Sequence, residues 1–239
     1  MSLEFYMSAP STSHEHPGTR HPGTLAPCYS VAVPVHLVQH PLVHDALSIL
    51  RDRSTPPEVF RRMAVRISLL LAAEATRDLP ASQVSVASPL GPAGGRRITA
   101  DVVVVPVLRA GLGMLDAVLE LIPSARVGHI GLQRDELTAV ASQYYSKLPQ
   151  NLSDSFVLMI DPMLATGGSA VAALDMLRAA GAREARMICI VAAPEGIELV
   201  ELHHPDVHIY TPVVDQGLND HKFIVPGLGD FGDRLYGTH

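Results

Sequence analysis

The chain has no tryptophan, only two cysteines and a 5% share of aromatic residues among its 239. Cys28 and Cys189 cannot form a disulfide framework in a chain this long, so a secreted, disulfide-stapled scaffold is excluded and a reducing cytoplasm is the expected setting. No apolar run reaches the roughly 20 residues that a membrane span needs, and no secretory leader is recognisable. Positive charge is also short: 18 Lys and Arg stand against 24 Asp and Glu, a formal net charge of -6. A chain of that sign is not expected to wrap nucleic acid or bind a membrane, although a local basic site for a small anion stays open to it. Two familiar phosphate signatures are missing as well. There is no Gly-Lys-Ser or Gly-Lys-Thr for a nucleotide P-loop, and GLGMLD puts Asp116 where the dinucleotide fingerprint needs its third glycine.

What is present is a 47% hydrophobic share rich in Val, Leu and Ala, the composition of an α/β protein with one large domain. Residues 1–27 are rich in Pro, Gly, Ser, Thr and His without apolar period, and read as a flexible tail before a domain spanning 28–239. HPLVHDALSILRDR has Leu42, Val43, Ala46, Leu47 and Leu50 at helical spacing. A second helix follows. Thr55 with Glu58 three residues on has the form of a capping box, with Pro56 at the first helical position. These helices occupy about 40–77. SPLGPAGGRR is a loop or hairpin connection. From about 100 to 215, β-branched runs alternate with helical stretches: DVVVVPVL, ARVGHIGLQ, SFVLMID, ARMICIVAA and DVHIYTPVV as strands, GMLDAVLELI, GSAVAALDMLRAAG and PEGIELVELHH as helices. That pattern predicts a mostly parallel sheet covered on both faces. Residues 216–239 show no regular period.

The most informative stretch is IDPMLATGGSAVAALDML, residues 160–177. A buried strand ends in Asp161, and Thr166, Gly167, Gly168 and Ser169 stand before a helix. Ligands of open parallel sheets bind beyond the carboxyl ends of the strands. A helix N-terminus attracts phosphate, glycines let backbone approach it, and hydroxyls donate to it. Asp161 would repel phosphate but accept from sugar hydroxyls, so the stretch points to a phosphorylated sugar. A plain tight turn with a helix cap is the competing explanation.

This stretch resembles the phosphoribosyl-pyrophosphate (PRPP) loop of the type I phosphoribosyltransferases, and most of all that of the uracil phosphoribosyltransferase family, in which Pro162 follows a single acid. HPLV at 40–43, EAT at 74–76, LRAGLGM at 108–114, AAPEGI at 192–197, HPDV at 204–207 and VPGLGDFGDRLYGT at 225–238 agree in order. The resemblance implies a type I phosphoribosyltransferase fold with a C-terminal base-binding hood and a β-arm or flexible loop. It implies transfer from PRPP to uracil, giving uridine monophosphate and pyrophosphate, with Mg²⁺ carried on PRPP and water rather than by a dedicated protein ligand. Homodimers or higher homo-oligomers, and GTP as a candidate activator, are implied too.

Carried over residue by residue, Arg109 belongs to the pyrophosphate loop and Arg134 is a second basic contact. Asp161, Pro162, Met163, Leu164, Ala165, Thr166, Gly167, Gly168 and Ser169 form the PRPP loop. Ile224, Gly229, Asp230 and Phe231 form the uracil pocket, with Asp230 also toward PRPP. Arg109, Asp161 and Asp230 are the catalytic candidates. The paired glycines beside Arg109 are expected to admit the anion. Uracil offers two acceptors around an N–H, an edge that exposed backbone near Gly229 can match, while Asp230 can help take the N1 proton. A turn-forming role for Asp230 is the plain alternative. The polar stretch 134–149 reads as a lid, or else as a hairpin arm, and it has Ala141 near a usual family proline. Phe231 replaces a usual alanine, so a phenyl ring is expected to stack on the base or narrow its pocket. Lys222 and Phe223 replace a usual Gly-Tyr.

Three other readings compete. One is transfer to another base. A second is a catalytically weak relative that binds a regulatory nucleotide or RNA. The third is a metal site at His36, His40 and His44, against which surface histidines are the simpler account.

Overall fold

In the computed structural model, residues 34–134 and 141–238 are described, without the side chains of Arg134, Ala141 and Ser142. The N-terminal tail, Cys28 and the centre of the expected lid lie outside them. All the described residues belong to one unit of the chain. Its elements, in chain order, are β1 (Val35–Leu37), α1 (Pro41–Arg51), α2 (Pro57–Ala75), β2 (Ala81–Ser88), β3 (Gly91–Ile98), β4 (Asp101–Leu108) and α3 (Leu112–Leu121). Then follow β5 (Arg126–Val127), β6 (His129–Arg134), β7 (Ala141–Lys147), β8 (Ser155–Ile160), β9 (Met163–Leu164) and α4 (Gly168–Ala179). The chain closes with β10 (Glu184–Ile188), β11 (Val191–Ala192), α5 (Pro194–His203), β12 (His208–Thr211), β13 (Gly217–Leu218), β14 (Ile224–Val225) and α6 (Phe231–Tyr236).

The main sheet has the order β1-β12-β10-β8-β4-β6-β7, with β5 beside β4. All its pairings are parallel except β6 with β7. The expected central, mostly parallel sheet flanked by helices is therefore present. Alternate residues of each strand feed opposite layers. Val102 and Val104 pack into one core with α1, α2, α3 and α6, while Val103, Val105 and Val107 pack into the other with α4 and α5. From β4 the chain crosses by α3 to β5 and β6 on one side; from β8 it crosses by α4 to β10 on the other. The carboxyl ends of β4 and β8 thus flank the topological switch point, where the two following loops diverge and leave a crevice.

Three local expectations change. The capping box does not form. Thr55 Oγ1 instead donates to the Ile49 carbonyl at 2.6 Å, and Pro56, held extended at φ -71° and ψ 155°, is the residue before α2. The cause is Pro57: a residue preceding proline is pushed out of the helical region, so the helix begins one residue later than its acidic signature suggests. The run ARVGHIGLQ breaks at Gly128 into β5 and β6, and ARMICIVAA breaks before Val191. Within 134–149, Ala141–Lys147 is strand β7, antiparallel to β6, as a hairpin arm would be. SPLGPAGGRR is the turn and second strand of a separate hairpin, β2 with β3.

At the opposite end of the sheet from the switch point, Arg126 joins three strands. Its Nε donates to Asp101 Oδ1 at 3.0 Å, its Nη2 reaches Asp101 Oδ2 and, at 3.0 Å, Ser155 Oγ, and the Ser155 hydroxyl donates to Asp101 Oδ2 at 2.7 Å. Arg126, and then Ser155, hold the Asp101 carboxyl below the usual carboxylate range. A carboxyl depressed in the folded state stabilises the fold above its unfolded value and loses that contribution as pH falls through its folded value. Melting temperature should accordingly fall as pH drops through and below the usual carboxylate range. Asp101→Asn should lower it at neutral pH and flatten that acid limb, which a series of thermal melts against pH measures.

Candidate active site

A cleft of ≈ 360 Å³ opens at the switch point. Its walls come from three places: the β4–α3 loop with Arg109 and Ala110, the β8–α4 loop with Asp161, Met163, Ala165 and Ser169, and the C-terminal hood with Ile224, Gly229, Asp230, Phe231 and Gly232. Segments about 50 residues apart in sequence meet because parallel strands deliver their carboxyl ends to one edge.

The β8–α4 loop is tied down on its protein side. The Pro162 carbonyl accepts from Ile190 N at 2.9 Å and Val191 N at 3.1 Å, and the Leu164 carbonyl accepts from Ala193 N at 2.8 Å. Leu164 is buried, and β9 pairs with β11. Pro162 and Leu164 hold the loop in place; Met163 and Ala165, alternating with them, face the cleft. Met163 N also donates to Asp161 Oδ1 at 3.3 Å, which orients that carboxylate at the strand end. Gly167 has φ +82°, and a Cβ there would sit 2.8 Å from the Gly196 carbonyl oxygen, so it packs against α5. Gly168 is different: its Cβ would meet nothing closer than Thr166 Oγ1 at 3.9 Å. Gly168 therefore keeps space clear above the start of α4, a helix with no side-chain cap. Uncapped N–H groups beside open space, with Thr166 and Ser169 hydroxyls near, make an anion seat.

The glycines beside Arg109 serve a purpose other than the expected one. A Cβ at Gly111 would fall 2.6 Å from the Ile160 carbonyl oxygen and 2.7 Å from that of Val107. A Cβ at Gly113 would fall 2.6 Å from Leu235 Cδ2. They admit the end of β8 and helix α6 rather than a ligand. Their effect on the site is indirect but large, because they let the Arg109 loop and the hood close on the same crevice. The Leu108–Arg109 peptide is cis, and the Arg109 side chain lies on the exposed cleft wall. Arg134 ends β6 opposite Ala141; its side chain lies outside the described residues.

Asp230 is the N-cap of α6, its Oδ1 accepting from Asp233 N at 2.9 Å, so the turn-forming role is real. It does not exclude the other role, since Asp230 also borders the cleft. Phe231 departs from expectation. Its ring is 1% exposed and meets Phe60 edge-on at 5.2 Å between centroids, 62° between planes. With Asp230 capping the helix, the next side chain is turned toward α2. The phenyl group completes the core under the hood and offers no exposed face for a base to stack on, while Phe231 still borders the cleft, as the narrowing alternative has it. Further cleft residues were not named as ligand candidates in the sequence, although Leu108 belongs to LRAGLGM and Lys222 and Phe223 replace a usual family Gly-Tyr: Val107, Leu108, Leu132, His221, Lys222 and Phe223. The last three form the tip between β13 and β14. There Asn219 Oδ1 accepts from His221 N and Phe223 N, both at 3.0 Å, and Lys222 takes a left-handed φ of 65°.

The histidines of the metal reading go separate ways. His36 Nε2 meets His208 Nδ1 at 2.8 Å, His40 Nδ1 accepts from Leu42 N at 3.1 Å, and His44 Nε2 meets Gln39 Oε1 at 3.1 Å. Among the described residues no group of three or more His, Cys, Asp or Glu is placed to hold a metal ion, and no helix is long and apolar enough to cross a membrane.

The family model for uracil phosphoribosyltransferase matches residues 37–238. The chain belongs to the uracil phosphoribosyltransferase family. It is 52% identical over 205 residues to the uracil phosphoribosyltransferase of Dictyoglomus thermophilum, covering 85% of this chain and 99% of the relative. Identity to that of Symbiobacterium thermophilum is 50% over 205 residues, covering 85% and 98%. A solved structure of a protein from Aquifex aeolicus superposes with a TM-score of 0.81 at 35% identity, covering 84% of this chain and 97% of the other. In this family member, then, the matched segment takes in every cleft residue named above.

The placement of Phe231 has a measurable consequence. Phe231→Ala should destabilise the fold by about 3–5 kcal/mol, as loss of a buried phenyl ring does, and Phe231→Leu by less. Both losses should appear in denaturant melts without any ligand. If Phe231→Leu left stability intact but weakened uracil saturation, the ring would belong to the base site after all.

Proposed function

We propose that this chain transfers the phosphoribosyl group of PRPP to uracil, releasing uridine monophosphate and pyrophosphate. The observation that carries this reading is the meeting of Arg109, the Asp161–Ser169 loop and the Ile224–Asp230 hood on one cleft at the switch point. A loop before a helix start, a strand-end carboxylate and the backbone at Gly229 border the same cleft, which supports a reading as seats for phosphate, ribose and base. The family membership and the names of the relatives support the same choice of base.

The 5′-phosphate sits above the start of α4, against Thr166, Gly168 and Ser169. Asp161 accepts from the ribose hydroxyls. Arg109 faces the pyrophosphate and stabilises the negative charge that grows on it as the anomeric carbon takes on oxocarbenium character. Uracil lies under the hood, its edge matched by backbone at Ile224 and Gly229, and its N1 attacks the face opposite the leaving group. Asp230 takes part in removing the N1 proton through the carboxylate oxygen not used in the cap. The cleft offers Asp161 and Asp230 as carboxylates, a donor set that suits Mg²⁺ arriving on substrate oxygens with its own waters. When bound, the ion neutralises pyrophosphate charge. A homo-oligomeric assembly, activation by GTP and a cytoplasmic setting complete the proposal on the strength of the family resemblance.

The test is pyrophosphate release from PRPP and Mg²⁺ with uracil, cytosine or hypoxanthine in separate reactions. Release with uracil, and uridine monophosphate as product, is expected. Release only with another base would keep the chemistry and change the substrate, and PRPP binding without turnover would favour a regulatory protein. Asp161→Asn should lower kcat/KM roughly 10- to 100-fold, the scale of lost hydrogen bonds to a charged group. Arg109→Ala should lower kcat about 100-fold or more, as removal of a preorganised transition-state donor does. Unchanged activity in Asp161→Asn would remove the ribose role.

A further inference from the structure

The hood reads the base with backbone, so something else must fix that backbone. We infer that Asp215, with Arg51, is the positioning residue for base recognition; this rests on the uracil reading. Asp215 is not part of the cleft wall. Its side chain is 4% exposed, and both carboxylate oxygens are in use. Oδ1 accepts from Arg51 Nη2 at 2.6 Å, at the last residue of α1. Oδ2 accepts from Gly227 N at 2.9 Å, inside the hood. The Asp215 backbone is itself anchored, its N donating to the Ala192 carbonyl at 2.8 Å at the end of β11. One buried residue therefore joins β11 through its backbone, and an N-terminal helix and the hood through its carboxylate.

The tie at Gly227 is transmitted with little slack. Gly227 has φ +57°, and a Cβ there would fall 2.1 Å from the Ile224 carbonyl oxygen, so this turn folds back directly on Ile224. Gln216 N donates to the Val225 carbonyl at 3.0 Å and closes the same loop. Ile224 on one side of Gly227 and Gly229 on the other both line the cleft. Other side chains tie the hood elsewhere, Glu195 Oε1 accepting from Leu218 N at 3.0 Å and Arg234 Nη1 donating to the Leu228 carbonyl at 2.7 Å, but the Gly227 N–H itself is held by Asp215. Removing Arg51 would leave Asp215 as a buried charge with a single N–H partner, and removing the carboxylate would leave both Arg51 and Gly227 N–H unmatched. Either change should loosen the base-facing backbone while leaving the PRPP loop on β8 and α4 alone.

The experiment compares the uracil KM at saturating PRPP with the Kd for PRPP alone, in the unaltered chain and in Asp215→Asn, Asp215→Ala, Arg51→Ala and Arg51→Lys. Expected is a rise of roughly tenfold or more in uracil KM for Asp215→Ala and Arg51→Ala, with PRPP Kd unchanged within about twofold. Arg51→Lys should recover part of the loss, and combining Arg51→Ala with Asp215→Asn should add little to either alone, because the two residues act as one unit. Should Asp215→Ala fail to fold by near-UV circular dichroism, the Asn and Arg51 variants decide. Uracil KM and PRPP Kd moving together, or an unchanged uracil KM in folded Arg51→Ala, would overturn the positioning role alone. No uracil turnover by the unaltered chain would overturn both this inference and the reaction on which it rests.

Discussion

The site depends on how closely the start of α3 can approach the end of β8. Position 111 lies against the terminal carbonyls of two adjacent strands, where even a methyl group would overlap backbone. Backbone cannot retreat as a flexible side chain can, so only glycine allows the Arg109 loop to turn there without prying the central strands apart. Two residues on, at Gly113, side chains of α6 take the space a Cβ would need, Leu235 Cδ2 lying 2.6 Å from it. The cleft thus sits over a junction that is packed to backbone contact at Gly111. Dense packing of this kind moves as a unit or not at all.

Above that junction the hood has almost no secondary structure of its own: two paired residues at each end of a hairpin and a six-residue helix. Short elements of this size are not stable by themselves. Their order comes from side chains acting as pegs. Arg234 Nη1 donates to the Leu228 carbonyl at 2.7 Å and to that of Leu50, its Nη2 donates to the Asp52 carbonyl at 2.6 Å, and its guanidinium lies 4.5 Å above the Phe60 ring. Arg61 Nη1 adds a bond to the Leu235 carbonyl at 2.8 Å. A planar guanidinium can satisfy several carbonyls and an aromatic face at once, and a lysine in its place could not. With Phe231 buried beneath, the hood is held by contacts to α1 and α2 more than by contacts within itself.

Much of this was legible in the sequence, and for identifiable reasons. Continuous β-branched runs such as DVVVVPVL mark buried parallel strands because both of their faces are covered. Asp161 and the Thr166–Ser169 turn could be placed at the carboxyl end of a strand from local order alone. Interactions that depend on distant partners could not be placed. Nothing around Phe231 announces Phe60, which lies across the fold, and so its ring was expected in the base pocket. Gly111 and Gly113 look like ligand glycines until the neighbours that occupy their space are known. Thr55 and Glu58 form a valid capping pattern, overridden by the proline at 57. Asp215 carries no local sign at all, since its meaning lies in Arg51 and Gly227.

The arginine pegs have a consequence in time as well as in space. Arg234 reaches carbonyls at Leu50 and Asp52, more than 180 positions earlier, its contacts with them spanning 184 and 182 residues. A chain growing from its N-terminus makes α1, α2 and the β8–α4 loop well before position 234 emerges. The β8–α4 loop is therefore made before the hood that shares the cleft with it. The cleft is a feature that only the nearly finished chain can have.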